Sequence, residues 1–147
     1  MSAFALIPLV MIWSAGAAVQ FAQGPPASRP GRPPEVRAAL DAAIVTTVCV
    51  EALKRTFKEP RPEGSGLSGY AFPSGHAAAA FALAAVASEY HPRQKWLWYA
   101  LAGRVAWSRV KVGAHDWDDV IVGAALGAWI GDRASANGGI VLKRCRW

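Results

Sequence analysis

Apolar positions along the chain fall into five long stretches, and within them they recur at helical spacing, never alternating over more than four residues. The first stretch, Ala3 to Ala22, is interrupted only by Ser14 and Gln20. At roughly 20 residues it is long enough to span a bilayer as a helix. Ala15-Gly16-Ala17 offers a small-residue cleavage site, but no Lys or Arg precedes the apolar run, so a retained helix is favoured over a signal peptide. A Pro/Gly loop follows (QGPPASRPGRPP, residues 23–34), and helical patterning resumes from about Val36 to Phe57. Residues 59–73 are dense in Pro, Gly and Ser and predict an irregular segment. A helix then starts at Ser74-Gly75-His76 and runs to Tyr90, where His91-Pro92-Arg93 breaks it. Another covers Gln94 to Val110, and after a break at Gly113 the last runs from Asp116 to Asp132. The fold class is therefore all-α. It is a single domain over residues 1–147, with an N-terminal apolar helix (3–22), an antiparallel four-helix bundle (36–132) and a basic tail (133–147). No internal repeat is present.

The last helix carries Gly123, Gly127 and Gly131 at four-residue spacing, which puts three glycines on one face. Such small-residue seams let a second helix approach closely, and the Ala-rich helix from His76 is the expected partner.

Composition sharpens this picture without deciding it. Of 147 residues, 53% are hydrophobic and 18% charged, and the mean hydropathy is +0.19, which leaves the membrane question open. The net charge of +6 and pI of about 9.8 point to an anionic partner. The basic residues form short clusters between apolar segments, a pattern that fits membrane-flanking loops and excludes a nucleic-acid surface. Cys49, inside an apolar helix, and Cys145, in the tail, have no metal-ligand spacing and form no disulfide framework.

Three clusters carry chemistry. In KRTFKEPRP, Lys54 is followed after six residues by Arg61; PSGH spans Pro73 to His76; in SRVKVGAHDWDD, Arg109 is followed after five residues by His115 and then after three by Asp119. Each cluster lies at a predicted helix end, and in an up-down-up-down bundle those ends coincide. Chain order alone thus gathers two histidines, an aspartate and three cations at one place. Lys54, Arg61 and Arg109 suit the non-bridging oxygens of a phosphoryl group. The Ser74 hydroxyl and the amides of residues 74–76 open a helix, a ready anion site. His115 is a competent nucleophile if Asp119, four residues on, holds one ring nitrogen, and His76 can protonate a leaving oxygen. A lone histidine is more often structural, and a lone basic loop is usually a solvated patch. The conjunction of three clusters at one end of a bundle is what argues for a site.

Position for position, the three clusters resemble the three-part signature of the type 2 phosphatidic acid phosphatase superfamily. That group includes membrane lipid phosphatases, class A acid phosphatases and vanadium haloperoxidases. The resemblance spans Lys54 to Asp119 and extends into VIVGAALGAWIGD. It implies His115 as nucleophile, Asp119 as its orienting partner and His76 as general acid. It also implies Lys54, Arg61, Ser74, Gly75 and Arg109 as phosphate ligands, with no metal or other cofactor. Membrane members usually have more spans than the five helices this chain has room for. Asp116 and Asp118 beside the site have no evident role in the sequence.

Cations at Arg29, Arg32, Arg37, Arg93, Lys95 and Arg133 cluster at the bundle end away from the site. The positive-inside rule then makes that end cytoplasmic and the site periplasmic or exterior in an integral inner-membrane protein. Asp41, Glu51 and Arg104 within helices are compatible with this if they face the bundle interior. The expected activity is a metal-independent phosphohydrolase acting on a lipid phosphate or diphosphate through a phosphohistidine. The rivals are a secreted soluble acid phosphatase acting on monoesters and a silent lipid-binding scaffold. Which lipid is used, and the oligomeric state, are left open.

Overall fold

The computed structural model describes residues 34–63, 65–136 and 140. Four helices occupy them: α1 (Glu35–Phe57), α2 (Gly75–Tyr90), α3 (Lys95–Lys111) and α4 (Trp117–Ala136), with a short 3-10 turn at Pro92–Gln94 before α3. Among the described residues there is no strand. The expected N-terminal helix over residues 3–22, and the tail from residue 137 apart from Ile140, lie outside the described residues.

Local chemistry sets the helix ends. Pro34 precedes α1 with its fixed backbone angle, Glu35 places an acid in the first turn, and Lys54 and Arg55 place cations in the last. The helix stops where Lys58 turns left-handed (φ 50°) and its amide closes on the Lys54 carbonyl. Ser74 caps α2 by accepting from the Ala77 amide. Gly113 takes φ +65° in the turn between α3 and α4, a conformation its missing Cβ permits. The last helix runs four residues beyond the expected end at Asp132. Ala134 and Ser135 are buried, and the Ser135 hydroxyl donates to the Gly131 carbonyl, so packing carries the helix into what reads as a tail.

Helix α2 is central, packing against α1, α3 and most extensively α4. The glycine seam is the reason. A Cβ at Gly123, Gly127 or Gly131 would overlap the backbone carbonyls of Ser74, Ala78 and Ala82 respectively, so α4 lies directly on the α2 backbone. The core is correspondingly lean. Ala38, Ala42, Ala82, Val86, Ile130 and Ala134 fill it at one end, and Ala77, Ala106 and Val120 at the other.

The outer faces differ from those of an ordinary bundle. Val36, Leu40, Ile44 and Val48 recur every four residues along α1 and are exposed, as are Leu97, Leu101 and Val105 on α3. No helix among the described residues is both long and apolar enough to cross a membrane. Of the three charges within helices that a membrane reading accommodates if they face the interior, Asp41 does so: it is buried and accepts from the Ile140 amide. Glu51 and Arg104 are exposed. The cation asymmetry behind the expected orientation rests in part on Arg29, Arg32 and the tail, outside the described residues.

Candidate active site

His115 lies two residues before α4 and Asp119 in its first turn. The Nδ1 of His115 is 3.0 Å from Asp119 Oδ2, and both side chains are almost wholly buried. The same carboxylate oxygen accepts from the Asp116 amide at 3.2 Å. That second bond is half of a capping box, in which a third-position acid reaches back to the residue before the helix. One oxygen thus starts α4 and holds the imidazole. With the carboxylate accepting the Nδ1 proton, the lone pair of the ring falls on Nε2. Asp119 Oδ1 is buried with no hydrogen-bond partner among the described residues.

The dyad is tied to α2 through backbone. The Ser74 amide donates to the Asp119 carbonyl at 3.0 Å, one step along α4 from the place where Gly123 meets the Ser74 carbonyl. This corrects part of the expected anion site: the Ser74 amide is engaged, which leaves the Gly75 and His76 amides as first-turn donors without intrahelical partners. The Ser74 hydroxyl is buried, but since it accepts from Ala77 its own proton is still available to a ligand.

The cations surround this pair. Arg61 Nη1 donates to the Ala114 carbonyl at 2.9 Å and lies 3.5 Å from His115 Nε2, while its Nε donates to the Ser68 carbonyl at 3.2 Å. Lys54 Nζ donates to the Tyr70 and Ala71 carbonyls at 2.7 and 2.9 Å. Arg109, in the last turn of α3, bonds the Ser108 hydroxyl through Nε at 3.2 Å. His76, in the first turn of α2, is exposed.

These groups feel one another. Partial burial, and then the charges of Arg109, His115, Arg61 and Lys54, hold His76 below the usual imidazole range. Lys54 is lowered by burial and by Arg61, against the opposing pull of Asp119 and Glu51. Burial, followed by the carboxylates of Asp119, Asp118 and Asp116, raises Glu59. All of the residues singled out in the sequence therefore converge on the end of the bundle where α1 and α3 finish and α2 and α4 begin. What the sequence did not reveal is the role of main-chain carbonyls at residues 68, 70, 71 and 114 in anchoring Arg61 and Lys54, since any residue type supplies a carbonyl. The Asp116 amide bond to Asp119 had a signal, an acidic residue three positions before another at a helix start.

Residues 36–132 match the family model of the PAP2 superfamily, and the chain belongs to that superfamily. It is 40% identical over 115 residues to a lipid A 1-phosphatase of Rhizobium johnstonii, an alignment covering 69% of this chain and 46% of the relative. It is 38% identical over 87 residues to a lipid A 1-phosphatase of Porphyromonas gingivalis, covering 56% of this chain and 19% of the relative. The chain thus spans less than half the length of these curated relatives. Among solved structures, LpxE of Aquifex aeolicus superposes with a TM-score of 0.63 at 27% identity, over 90% of this chain and 77% of that one. A transmembrane PAP2 type phosphatidylglycerolphosphate phosphatase of Bacillus subtilis superposes with a TM-score of 0.54 at 23% identity, over 86% of this chain and 65% of that one, and supports the fold.

Proposed function

We propose that the protein is a phosphohydrolase that removes phosphate from a phosphorylated lipid through a covalent intermediate on His115. The observation that carries this is the buried His115–Asp119 pair, with Nε2 as the unprotonated ring nitrogen and Arg61 3.5 Å from it.

The chemistry follows from that geometry. Asp119 keeps the Nδ1 proton in place, so the Nε2 lone pair attacks phosphorus and forms a P–N bond as the P–O bond to the lipid breaks. His76, protonated, gives its proton to the departing oxygen. A water then attacks the phosphorus of the phosphohistidine; neutral His76 takes its proton, the P–N bond breaks, and phosphate leaves with His115 restored. Asp119 also stabilises the positive charge that the ring acquires while it is phosphorylated. Lys54, Arg61 and Arg109, with the Ser74 hydroxyl and the Gly75 and His76 amides, neutralise the equatorial oxygens, which is most of what phosphoryl transfer asks of a protein.

The names of the relatives favour a membrane lipid over a soluble monoester, and among lipids a phosphorylated glycolipid. The enzyme would meet it at a membrane surface, with the site residues in the headgroup layer where the helices end. The test is phosphate release over a panel of lipid A 1-phosphate, phosphatidic acid, phosphatidylglycerol phosphate, a polyprenyl diphosphate and a soluble chromogenic ester, with His115→Ala as control. Release from a lipid that His115→Ala abolishes, together with an acid-labile, base-stable phosphoenzyme in the parent, is expected. Equal activity in the two proteins would sink the nucleophile assignment, and hydrolysis of the soluble ester alone would sink the lipid.

A further inference from the structure

The exposed faces of α1 and α3 carry the same pattern with opposite charges. On α1 it is Ile44, Val48 and Glu51; on α3 it is Leu97, Leu101 and Arg104, and in both the steps are four residues and then three. All six side chains are exposed. We propose that the protein self-associates, with α1 of one copy lying parallel to α3 of the next and Glu51 paired with Arg104 across the contact.

Depth is the first argument. Both helices run toward the candidate site and finish there, α1 at Phe57 and α3 at Lys111. Glu51 stands six residues before the end of its helix and Arg104 seven before the end of its own. At about 1.5 Å per residue the two charges therefore lie roughly 9 and 10.5 Å from the same end of the bundle. The one-residue offset holds along the whole face. When two copies stand side by side pointing the same way, Val48 meets Leu101 and Ile44 meets Leu97 at the level where Glu51 meets Arg104. Copies pointing opposite ways lose this match.

Charge is the second. A charge within an apolar face is costly to cover unless a partner pairs with it. Among the described residues neither Glu51 nor Arg104 makes a hydrogen bond or an ion pair. Lys54, three residues from Glu51, commits its ammonium to the Tyr70 and Ala71 carbonyls, and no acid lies three or four residues from Arg104. Setting α1 against a second α1, or α3 against a second α3, opposes like charges, so only the unlike faces fit. The apolar stretch of residues 3–22 has no charge to offer either face, and lipid chains have none. Each copy owns both faces and can make the contact on two sides, which closes as a ring or, about a twofold axis, as a dimer.

The experiment uses the full chain in mild detergent, with Cys49 and Cys145 replaced by Ser. A Glu51→Cys chain and a differently tagged Arg104→Cys chain are oxidised together. A mixed disulfide dimer is expected, with less than about a tenth as much product from either chain alone, because the bond needs close and well-directed Cβ atoms. Charge reversal gives a reading without thiols. In sedimentation, Glu51→Arg or Arg104→Glu should raise the dissociation constant about tenfold, and the double variant should return to within about threefold of the parent. A parent that stays monomeric up to about 0.1 mM overturns the proposal. So does a double variant that associates no better than the single ones, or same-residue crosslinks as strong as the mixed one. If Leu101→Cys bonds to Ile12→Cys within one chain and not to Val48→Cys of another copy, the N-terminal segment covers the face and the proposal fails. None of these readings needs turnover, so they stand or fall apart from the proposed hydrolysis.

Discussion

The two halves of the site are built from different materials. On one side the His115–Asp119 pair stands on the α2–α4 seam, where the Ser74 amide bonds the Asp119 carbonyl and Gly123 rests on the Ser74 carbonyl. Nothing there can shift without separating two helices. On the other side Lys54 and Arg61 reach the site as long side chains bonded to carbonyls of the 58–73 segment and of Ala114. Those bonds lie at an exposed to partly buried rim, where phosphate oxygens of the proposed substrate can replace the carbonyls at small cost. The contrast suits the proposed roles: the seam would fix His115 as nucleophile, and the mouth would adapt to the charge that arrives.

The largest effect should come from breaking what the seam holds. Asp119→Asn removes the charge that fixes the His115 tautomer while keeping the side-chain volume. Loss of an orienting carboxylate behind a catalytic imidazole costs about 10⁴-fold in kcat. Phosphate-release kinetics should show that loss, with the thermal midpoint lowered only modestly by the weakened cap. A tenfold loss or less would mean that the backbone, and not the carboxylate, sets the ring.

Breaking the seam itself comes next. Gly127→Ala puts a methyl group into the Ala78 carbonyl, and neither partner is a flexible side chain. The helices must part, at an expected cost of about 3 kcal/mol, the upper range for overpacking. Chemical denaturation followed by circular dichroism measures this. An unchanged midpoint would show that the seam yields, and the contrast between the two halves would go with it.

How much of this was legible beforehand follows the same division. The helix order, the meeting of Lys54, Arg61, His76, Arg109, His115 and Asp119 at one end, and the face of α4 with its three glycines all follow from spacing, because periodicity is a property of side chains. What spacing did not reveal is main-chain bonding. The tie from Ser74 to Asp119 and the carbonyls that receive Lys54 and Arg61 involve groups every residue possesses. The end of α4 was missed for a related reason, since Arg133 to Ala136 look like tail until the burial of Ala134 and Ser135 is known. The sequence left open whether Asp41, Glu51 and Arg104 face inward, and the structure buries Asp41 and exposes the other two.

A smaller effect belongs to the mouth. Lys54→Ala frees the Tyr70 and Ala71 carbonyls at a partly exposed rim, where water can replace the ammonium. Stability should change by less than about 1 kcal/mol, while kcat/KM falls about 10- to 100-fold, mostly through KM. If instead the thermal midpoint drops as far as in Gly127→Ala, Lys54 is a structural strut and the mouth is no more adaptable than the seam.

The smallest effect sharpens the boundary between the halves, because His76 stands on the seam helix yet faces the cations of the mouth. Partial burial and then Arg109 lead the causes that hold its pKa below the ordinary 6.5. In its proposed role of general acid it must be protonated, so in the free enzyme activity should be lost as pH rises through that lowered value. A bound phosphate dianion cancels the cation field and moves the pKa back up. The alkaline limb of kcat, which reports the complex, should therefore lie at higher pH than the limb of kcat/KM, which reports free enzyme and substrate. Ionisation of the substrate also shapes kcat/KM, but it is the same for any two proteins given one ester. Arg109→Gln isolates the enzyme's share: its kcat/KM limb should move to higher pH than the parent's, even as overall activity falls. A limb that stays in place, or moves down, would show that the charge of Arg109 does not reach His76.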